Sequence, residues 1–217
     1  MHSILCSKVF NIPIEDVKKP SSFKPDLIYR DIAKSISFGL SYGMTEHKLS
    51  SVMEIDKNKA KDIIDKFFSV VPKVKEFLDS LATTGKMRGY IRSAEPYGRI
   101  RWFPAWKQAV DNPGDSKSFA VLSEIERQSK NHPIQATNAD TIKAVLCKLY
   151  NLIVTEQKWN KVRIVLSVYD EVRCEVPEEL AEEWKEIMNK IMVEVAEETI
   201  KNVPIVADCT VTDSWEK

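Results

Sequence analysis

Cations and aromatic side chains recur at every fourth position in one early stretch of the sequence, RDIAKSISFGLSYG. The four residues are Arg30, Lys34, Phe38 and Tyr42. In an α-helix, side chains four residues apart form a slowly drifting stripe along one face. Because phosphates suit Arg and Lys while a sugar or base suits an aromatic ring, this stripe is suited to binding a nucleotide. The alternative is a solvated charged turn followed by aromatic residues that only pack.

The same stretch carries a second set of residues that suits a hydrophobic core. Ile32, Ile36 and Leu40 repeat at the same spacing and are displaced from the first stripe. An amphipathic helix buries such an apolar face and leaves the other face accessible. We therefore predict a helix over residues 27–44 with one face that packs in the core and another that is free to bind a ligand.

Two neighbouring carboxylates, Asp170 and Glu171, follow the apolar run VRIVLSV and precede the alternating segment VRCEV. This pattern predicts a β-hairpin with the two acids at its tip. Without a nearby Cys or His, the pair forms a hard oxygen-ligand site suited to Mg²⁺, which takes one or two protein carboxylates together with substrate phosphates. For two-metal phosphoryl transfer, a further carboxylate from another strand is needed. Asp and Glu are also ordinary residues of hairpin turns, which is the alternative interpretation.

A third segment, ERQSKNHPIQATNAD, carries polar side chains at a regular spacing. Arg127, Asn131 and Gln135 repeat at every fourth position around Pro133, which we expect to separate a helix over 119–130 from one over 136–157. Guanidinium and amide groups can contact phosphates or the minor-groove acceptors common to all base pairs. A capping and turn role is the alternative.

The elements that must position these residues change in kind along the chain. In the first half, helical patterns predict helices over 45–53, 56–72 and 72–84. The Gly- and Pro-containing segment 89–106 predicts short strands or an irregular hairpin, and a loop follows from residue 111. The last part predicts a long amphipathic helix over 178–201 and a final strand over 204–215. The fold class predicted is α+β, with a mostly helical first half and a small antiparallel sheet in the second.

The composition describes a globular chain without a strong overall charge. Of the 217 residues, 43% are hydrophobic, and 32 Lys and Arg balance 32 Asp and Glu, so any attraction to nucleic acid must come from a local patch. The four cysteines are widely spaced without a Cys-x-x-Cys pair, which argues against a zinc site and a disulfide framework. No apolar run has the length of a membrane span or the form of a secretory signal. We therefore expect a cytoplasmic protein, or one of the host cytoplasm if it is viral, with no membrane partner.

Three ordered segments resemble family A DNA polymerases, the bacterial DNA polymerase I type. RDIAKSISFGLSYG is similar to the family's fingers-helix motif, NHPIQATNAD to its Asn-x-Pro-x-Gln-x-x-x-Ala-Asp segment, and LSVYDEV to its Val-His-Asp-Glu hairpin. MHSILCSKVF resembles the family's Asp-x-His-x(4)-Ala-x-x-Phe stretch from the His onward. The resemblance spans nearly the whole chain. It departs from the family at Tyr169, which replaces the hairpin His, and at 106–118, where the sequence lengthens the usual loop.

The resemblance implies a role for each candidate residue. Arg30 and Lys34 would hold the triphosphate of an incoming dNTP with His2 adding a phosphate contact, while Phe38 meets the sugar and Tyr42 stacks by the template or nascent pair. The residues implied to contact primer-template DNA are Gly43, Arg127, Asn131, Gln135 and Tyr169. Catalysis and Mg²⁺ binding would fall to Asp170 and Glu171. The implied organisation is a fingers subdomain over 1–125 and the C-terminal part of a palm subdomain over 126–217.

The family's first metal-binding aspartate, thumb and exonuclease have no counterpart in these residues. The resemblance therefore implies a fragment, or one half of a split, phage-type polymerase whose activity in replication or repair needs an upstream segment or a partner chain. The alternative is a non-catalytic nucleic-acid-binding subunit that keeps the fold. The missing carboxylate favours that alternative, whereas the intact set of Arg30, Lys34 and Phe38 favours the polymerase.

Overall fold

A computed structural model of the chain describes residues 2–214. The structure is predominantly helical with two two-stranded sheets, which confirms the predicted α+β class. The chain divides into two compact units: one comprises Met1–Ile91 and Ile100–His132, and the other comprises Arg92–Arg99 and Pro133–Lys217. No helix among the described residues is both long enough and apolar enough to cross a membrane.

The helices of the first unit begin and end at recognisable signals. Their bounds are α1 His2–Phe10, α2 Tyr29–Ser41, α3 Glu46–Met53, α4 Lys57–Val70, α5 Pro72–Arg88 and α6 Trp106–Asp111. The Thr45 hydroxyl caps α3 by accepting a hydrogen bond from the backbone N–H of Lys48. Gly89, at a φ of 71°, ends α5 past the predicted boundary at 84. Helix α6 occupies residues 106–111 of the segment 106–118, which the sequence predicted to be a lengthened loop.

A hydrophobic core joins α1 to α4 in this unit. Its larger buried residues are Leu5, Val9, Ile32, Ile36, Leu40, Leu49, Met53, Ile63 and Phe67. Ile32 and Ile36 are each 1% exposed, which confirms the predicted buried face of α2. Burial of this face fixes the rotation of α2 and directs the cation and aromatic stripe away from the core.

The long helix α7, Ser116–Thr155, corrects the expectation that Pro133 separates two helices. Pro133 lies inside one continuous helix. A proline removes one backbone donor and crowds the preceding turn, which a long helix can absorb as a local bend. The Thr137 hydroxyl donates to the carbonyl of Pro133 at 2.5 Å and the Thr141 hydroxyl to that of Thr137 at 2.9 Å. Proline usually ends a helix, but here α7 continues through Pro133 and has buried core residues both before and after it.

Two short hairpins make up the β structure. The first pairs β1, Tyr90–Arg92, with β2, Ile100–Trp102, as the predicted irregular hairpin. In the second unit, β3, Arg163–Val168, pairs antiparallel with β4, Glu171–Glu175, which confirms the second predicted hairpin.

The second unit packs the β3–β4 hairpin, the C-terminal half of α7 and the helix α8, Ala181–Thr199, around one core. The buried residues of this core are Val145, Leu149, Ile153, Val162, Trp184, Met188 and Val195. Helix α8 confirms the predicted amphipathic helix within a few residues at each end.

The final strand predicted over 204–215 is wrong for the part that the structure describes, which has no strand after α8. A strand needs backbone hydrogen bonds to a neighbouring strand, and among the described residues β3 and β4 are hydrogen-bonded only to each other. The segment is held by other contacts, including a 2.7 Å hydrogen bond from the Asn189 amide to the carbonyl of Ala207. Trp215 lies outside the described residues.

Candidate nucleotide and DNA site

The cations and aromatic residues of the α2 stripe lie opposite the buried face of that helix. Lys34 is exposed, and Phe38 is 46% exposed. Tyr42 is the first residue beyond the end of α2, so it sits in the turn rather than on the predicted longer helix. Arg30 is half-buried, with its guanidinium 3.9 Å from the carboxylate of Asp31. Solvent can therefore reach the lysine and both aromatic rings.

His2 and Lys34 lie beside the ring of Phe38, and the three residues form a cluster. The His2 ring lies 5.9 Å from it between centroids, tilted by 48°. The Lys34 ammonium is 6.0 Å from the Phe38 centroid, at the outer limit of a cation–π contact. Nδ1 of His2 is buried and has no hydrogen-bond partner among the described residues. The cluster thus combines one aromatic face with two nitrogen donors suited to an anion.

Packing of α1 on α2 is what brings His2 to this cluster. Beside the main core, Cys6, Val17 and Ala33 form a second small buried group at the α1–α2 contact. Burial raises the pKa of the Cys6 thiol to about 11. The thiol therefore stays protonated at neutral pH and acts as a small apolar side chain.

The turn after α2 meets α7 within the same unit. Gly43 has a φ of +76°, and a Cβ added there would lie 3.0 Å from Cγ of Arg127. Within α7, Glu126 pairs with Lys86 of α5 at 3.0 Å and with Lys130 of α7 itself at 2.7 Å. Arg127, the next residue along α7, has an exposed side chain.

Asn131 and Gln135 follow Arg127 at four-residue steps on the continuous helix α7. Asn131 is half-buried, and its Oδ1 has no hydrogen-bond partner among the residues that the structure describes. Gln135 is exposed and belongs to the second unit. Because the helix does not break, all three residues keep the helical spacing that the sequence indicated.

The two carboxylates lie at the tip of the β3–β4 hairpin, as predicted. Val168 pairs with Glu171, which leaves Tyr169 and Asp170 as the turn. Tyr169 has a φ of 54° and is 86% exposed. A left-handed backbone is uncommon for a bulky residue and is often found where a turn serves function. Glu171 makes a 3.1 Å ion pair with Arg173, whereas Asp170 is exposed at the tip.

No group of three or more His, Cys, Asp or Glu side chains that could hold a metal ion occurs among the described residues. Asp170 and Glu171 fit Mg²⁺ in their chemistry, because hard carboxylate oxygens are its preferred protein ligands and one or two of them suffice beside phosphates. Two carboxylates alone would form only part of a metal site.

The family model of DNA polymerase family A matches residues 1–217. The chain belongs to DNA polymerase family A.

Named relatives of this family A chain agree with the match. The thermostable DNA polymerase I of Thermus filiformis is 33% identical over 163 residues, which are 75% of this chain and 18% of the relative. That of Thermus aquaticus is 30% identical over 192 residues, 88% of this chain and 20% of the relative. The DNA polymerase I of Caldicellulosiruptor bescii is 29% identical over 215 residues, 99% of this chain and 23% of the relative.

A solved structure is also similar to this family A chain. It is the POL domain of Pol1 from M. smegmatis in complex with DNA primer-template and dNTP, with a TM-score of 0.73 and 27% sequence identity. The similarity covers 89% of this chain and 31% of that one. The chain thus spans under a third of the solved relative and about a fifth of the curated ones.

One polar cluster of the family A chain was missed by the sequence reasoning. In the second unit, Arg99 forms an ion pair with Asp140, which is 6% exposed, and the Ser93 hydroxyl lies 3.5 Å from the same carboxylate. The backbone N–H of Ala94 donates to the Thr137 hydroxyl at 2.9 Å. These contacts fasten the segment 92–99 to α7 near Gln135. Arg99 and Asp140 are 41 positions apart, so no local pattern indicates the pair.

Proposed function

We propose that this chain is the C-terminal part of a DNA-directed DNA polymerase that adds dNTPs to a primer 3′ end. The observation that carries the proposal is the grouping of His2, Lys34 and Phe38 beside the exposed face of α2. The primer-template DNA and dNTP named for the solved relative support the same ligands for this chain. The reaction is attack of the primer 3′-hydroxyl on the α-phosphate of the dNTP, with pyrophosphate leaving.

In this proposal the cationic residues bind the triphosphate. Lys34 and Arg30, one helical turn apart, contact phosphate oxygens, and His2 donates from its ring to a further phosphate oxygen. Phosphoryl transfer depends mainly on positioning and charge stabilisation. Fixed cations beside oxygens that gain negative charge lower the barrier because they need little rearrangement during the reaction.

The aromatic residues of the stripe contact the flat parts of the nucleotide. Phe38 lies near both nitrogen-bearing side chains and meets the sugar, while Tyr42, in the turn after α2, stacks by the template or nascent base pair. The packing of His2 against Phe38 supports this assignment, because it holds the phosphate and sugar contacts in one cluster.

Asp170 and Glu171 are assigned as the carboxylates of the palm hairpin, with Asp170 the principal ligand because Glu171 is paired with Arg173. Together they would hold Mg²⁺, and the chemistry that bound Mg²⁺ supplies in such sites is stabilisation of the attacking and leaving oxygens. The exposed hairpin tip supports the assignment, since both the ion and the primer end must reach it.

The primer-template contacts are assigned to the turn after α2, to α7 and to the hairpin tip. The residues are Gly43, Arg127, Asn131, Gln135 and Tyr169. The regular spacing of the three α7 residues supports contact with minor-groove acceptors, which are common to all base pairs. Tyr169, in place of the family's His, offers its hydroxyl near the primer end.

Residues 1–125 are assigned to the fingers and residues 126–217 to the palm. The metal site needs at least one more carboxylate, because the described residues contain no cluster of three candidate ligands. We assign that carboxylate and the thumb to an upstream segment or a partner chain, as in a split, phage-type polymerase. A cytoplasmic location stays a prediction.

Primer extension by this chain, combined with a polypeptide that carries the thumb and first palm strands, tests the assignment. Asp170→Asn should reduce the extension rate at least about a hundredfold, since it removes a carboxylate charge at the reacting centre. Asp213→Asn is the matched control, because Asp213 is also exposed and lies outside the proposed site. Equal rates for the two variants would remove Asp170 from catalysis.

A non-catalytic nucleic-acid-binding subunit is the second candidate, favoured by the lack of a three-ligand cluster in the described residues. Such a subunit would bind primer-template DNA without needing Lys34 and Phe38. If the combined polypeptides bind DNA but do not extend a primer, and binding is unchanged by Lys34→Ala, the second candidate is correct.

A further inference from the structure

The β1–β2 hairpin carries an aromatic pair that the proposed function does not use. The rings of Tyr90 and Trp102 lie 5.0 Å apart between centroids, with an interplanar angle of 50°. The backbone N–H of Phe103 donates to the carbonyl of Gly89 at 2.9 Å, and this antiparallel bond places Tyr90 directly opposite Trp102. Trp102 is 64% exposed.

Alternation along the two strands directs this pair away from the core. Ile91 and Phe103, the residues that follow Tyr90 and Trp102, are 4% and 7% exposed and pack in a cluster with Ile125. Since successive side chains of a strand point to opposite faces, burial of these neighbours turns the two rings outward. The buried side chains of Ile91 and Phe103 therefore hold the hairpin in place, and the Tyr90–Trp102 pair lies on its other face.

The hairpin and its flanks carry a strong local excess of positive charge. Between residues 86 and 107 there are six basic residues and one acidic residue, in a chain whose charges balance overall. The basic residues are Lys86, Arg88, Arg92, Arg99, Arg101 and Lys107. Lys86 and Arg99 pair with acids, whereas Arg101 donates to the neutral amide of Gln128 at 3.0 Å. Because the chain has no net charge, attraction to nucleic acid must come from a local basic patch, and this segment is a candidate for one.

We propose that the Tyr90–Trp102 pair is a stacking platform for single-stranded DNA, with the basic residues of the same unit, Lys86, Arg88, Arg101 and Lys107, contacting its phosphates. Unpaired bases stack on exposed aromatic rings whatever their sequence, and a basic surface follows the backbone. A duplex keeps its bases stacked on one another, so it cannot use the exposed Trp102 in this way. The inference goes beyond the proposed function, because it does not require the chain to be catalytic or the α2 cluster to bind a nucleotide.

Fluorescence anisotropy with the full 217-residue chain and a labelled oligo(dT) of about 12 nucleotides tests the platform. Trp102→Ala should raise the Kd at least about fivefold, the lower range for loss of one base–aromatic stack. Trp159→Ala is the matched control, because Trp159 is 65% exposed and lies away from the hairpin in sequence; its Kd should stay within about twofold. The affinity should also fall steeply with salt, as expected for phosphate contacts.

Two further measurements guard against a folding defect in the Ala variant. Trp102→Phe keeps an aromatic face and should bind within about twofold of the unmodified chain. Quenching of tryptophan fluorescence by oligo(dT) should be clearly smaller in Trp102→Phe, because the stacked indole is gone. Failure of the unmodified chain to bind oligo(dT), equal Kd values for the two Ala variants, or unchanged quenching in Trp102→Phe would each overturn the proposal. Blunt duplex DNA that binds as tightly and loses as much affinity on Trp102→Ala would overturn it as well.

Discussion

Gly43 lies directly against Arg127, so the turn that follows α2 touches a side chain on α7 far along the chain. A Cβ on Gly43 would come within 3.0 Å of Cγ of Arg127, and the φ of +76° is one that L-residues rarely adopt. Both the backbone conformation and the space therefore favour glycine. This contact links the end of the proposed nucleotide helix to the first proposed minor-groove residue.

Gly43→Ala should lower the free energy of unfolding by about 1–2 kcal/mol, the cost of a left-handed backbone at a residue with a Cβ. Chemical denaturation measures this value. Gly114→Ala is the control, because nothing lies within 4 Å of a Cβ at that position; it should change the value by less than about 0.5 kcal/mol. If the two variants are equally stable, the Gly43–Arg127 contact does not constrain the fold.

Lys34→Ala should reduce kcat/KM for dNTP incorporation by the combined polypeptides at least about tenfold, or about 1.4 kcal/mol. In the proposed site, the lost cation faces a phosphate that gains charge in the transition state. Steady-state primer-extension kinetics measure the change. Lys61→Ala, at an exposed position of α4, is the control. A Lys34 variant within twofold of the Lys61 variant would place Lys34 outside the site.

Phe38→Tyr should increase the use of dideoxynucleotides relative to dNTPs. A phenylalanine leaves no hydrogen-bonding hydroxyl beside the sugar, and the family resemblance associates this choice with discrimination against ddNTPs. Competitive incorporation gives the ratio directly. Phe119→Tyr, at a residue that is 74% exposed on α7, serves as the control. An unchanged ratio would show that Phe38 does not face the sugar.

Cys6 should resist alkylation in the folded chain at pH 8.5 while the exposed Cys147 reacts, because burial raises the pKa of Cys6 to about 11 and only the thiolate is nucleophilic. Mass spectrometry after iodoacetamide treatment distinguishes the two sites.

The same raised pKa has a consequence for stability. An acid that holds its proton more tightly in the folded state stabilises the fold below its unfolded pKa near 9, and this contribution is lost as the pH rises towards about 11. Cys6→Ala should therefore lose less stability than the unmodified chain over this interval. Equal losses, or rapid alkylation of Cys6, would contradict the burial argument.

Local periodicity was sufficient to predict much of the fold. Burial of Ile32 and Ile36, the hairpin that ends at Asp170, and helix α8 all follow from patterns within one element. The failures involve partners outside the local window. Pro133 lies inside α7, which has buried core residues both before it, such as Ile125, and after it, such as Val145. Among the described residues, the segment after α8 makes no strand ladder with β3 or β4.

In the candidate site as well, features within one element were predictable from the sequence, whereas contacts between elements were not. The stripe of Lys34 and Phe38 is visible in the sequence because one helix carries both residues. Contacts between elements, such as His2 with Phe38 or Asp140 with Arg99, depend on packing that spacing does not encode. The Tyr90–Trp102 pair had a usable signal, the excess of basic residues in 86–107, although only the structure shows the two rings together.

Extension of a labelled primer by the purified chain, alone and with a polypeptide carrying the thumb and first palm strands, tests the central claim most directly. We expect no Mg²⁺-dependent extension by the chain alone, because Asp170 and Glu171 would form only part of the proposed metal site, and we expect extension when the two polypeptides are combined. Size-exclusion chromatography of the same mixture should show a stable complex. Absence of extension from a folded, associated pair would contradict the account. Robust synthesis by the chain alone would also contradict it, because another carboxylate would then have to complete the site.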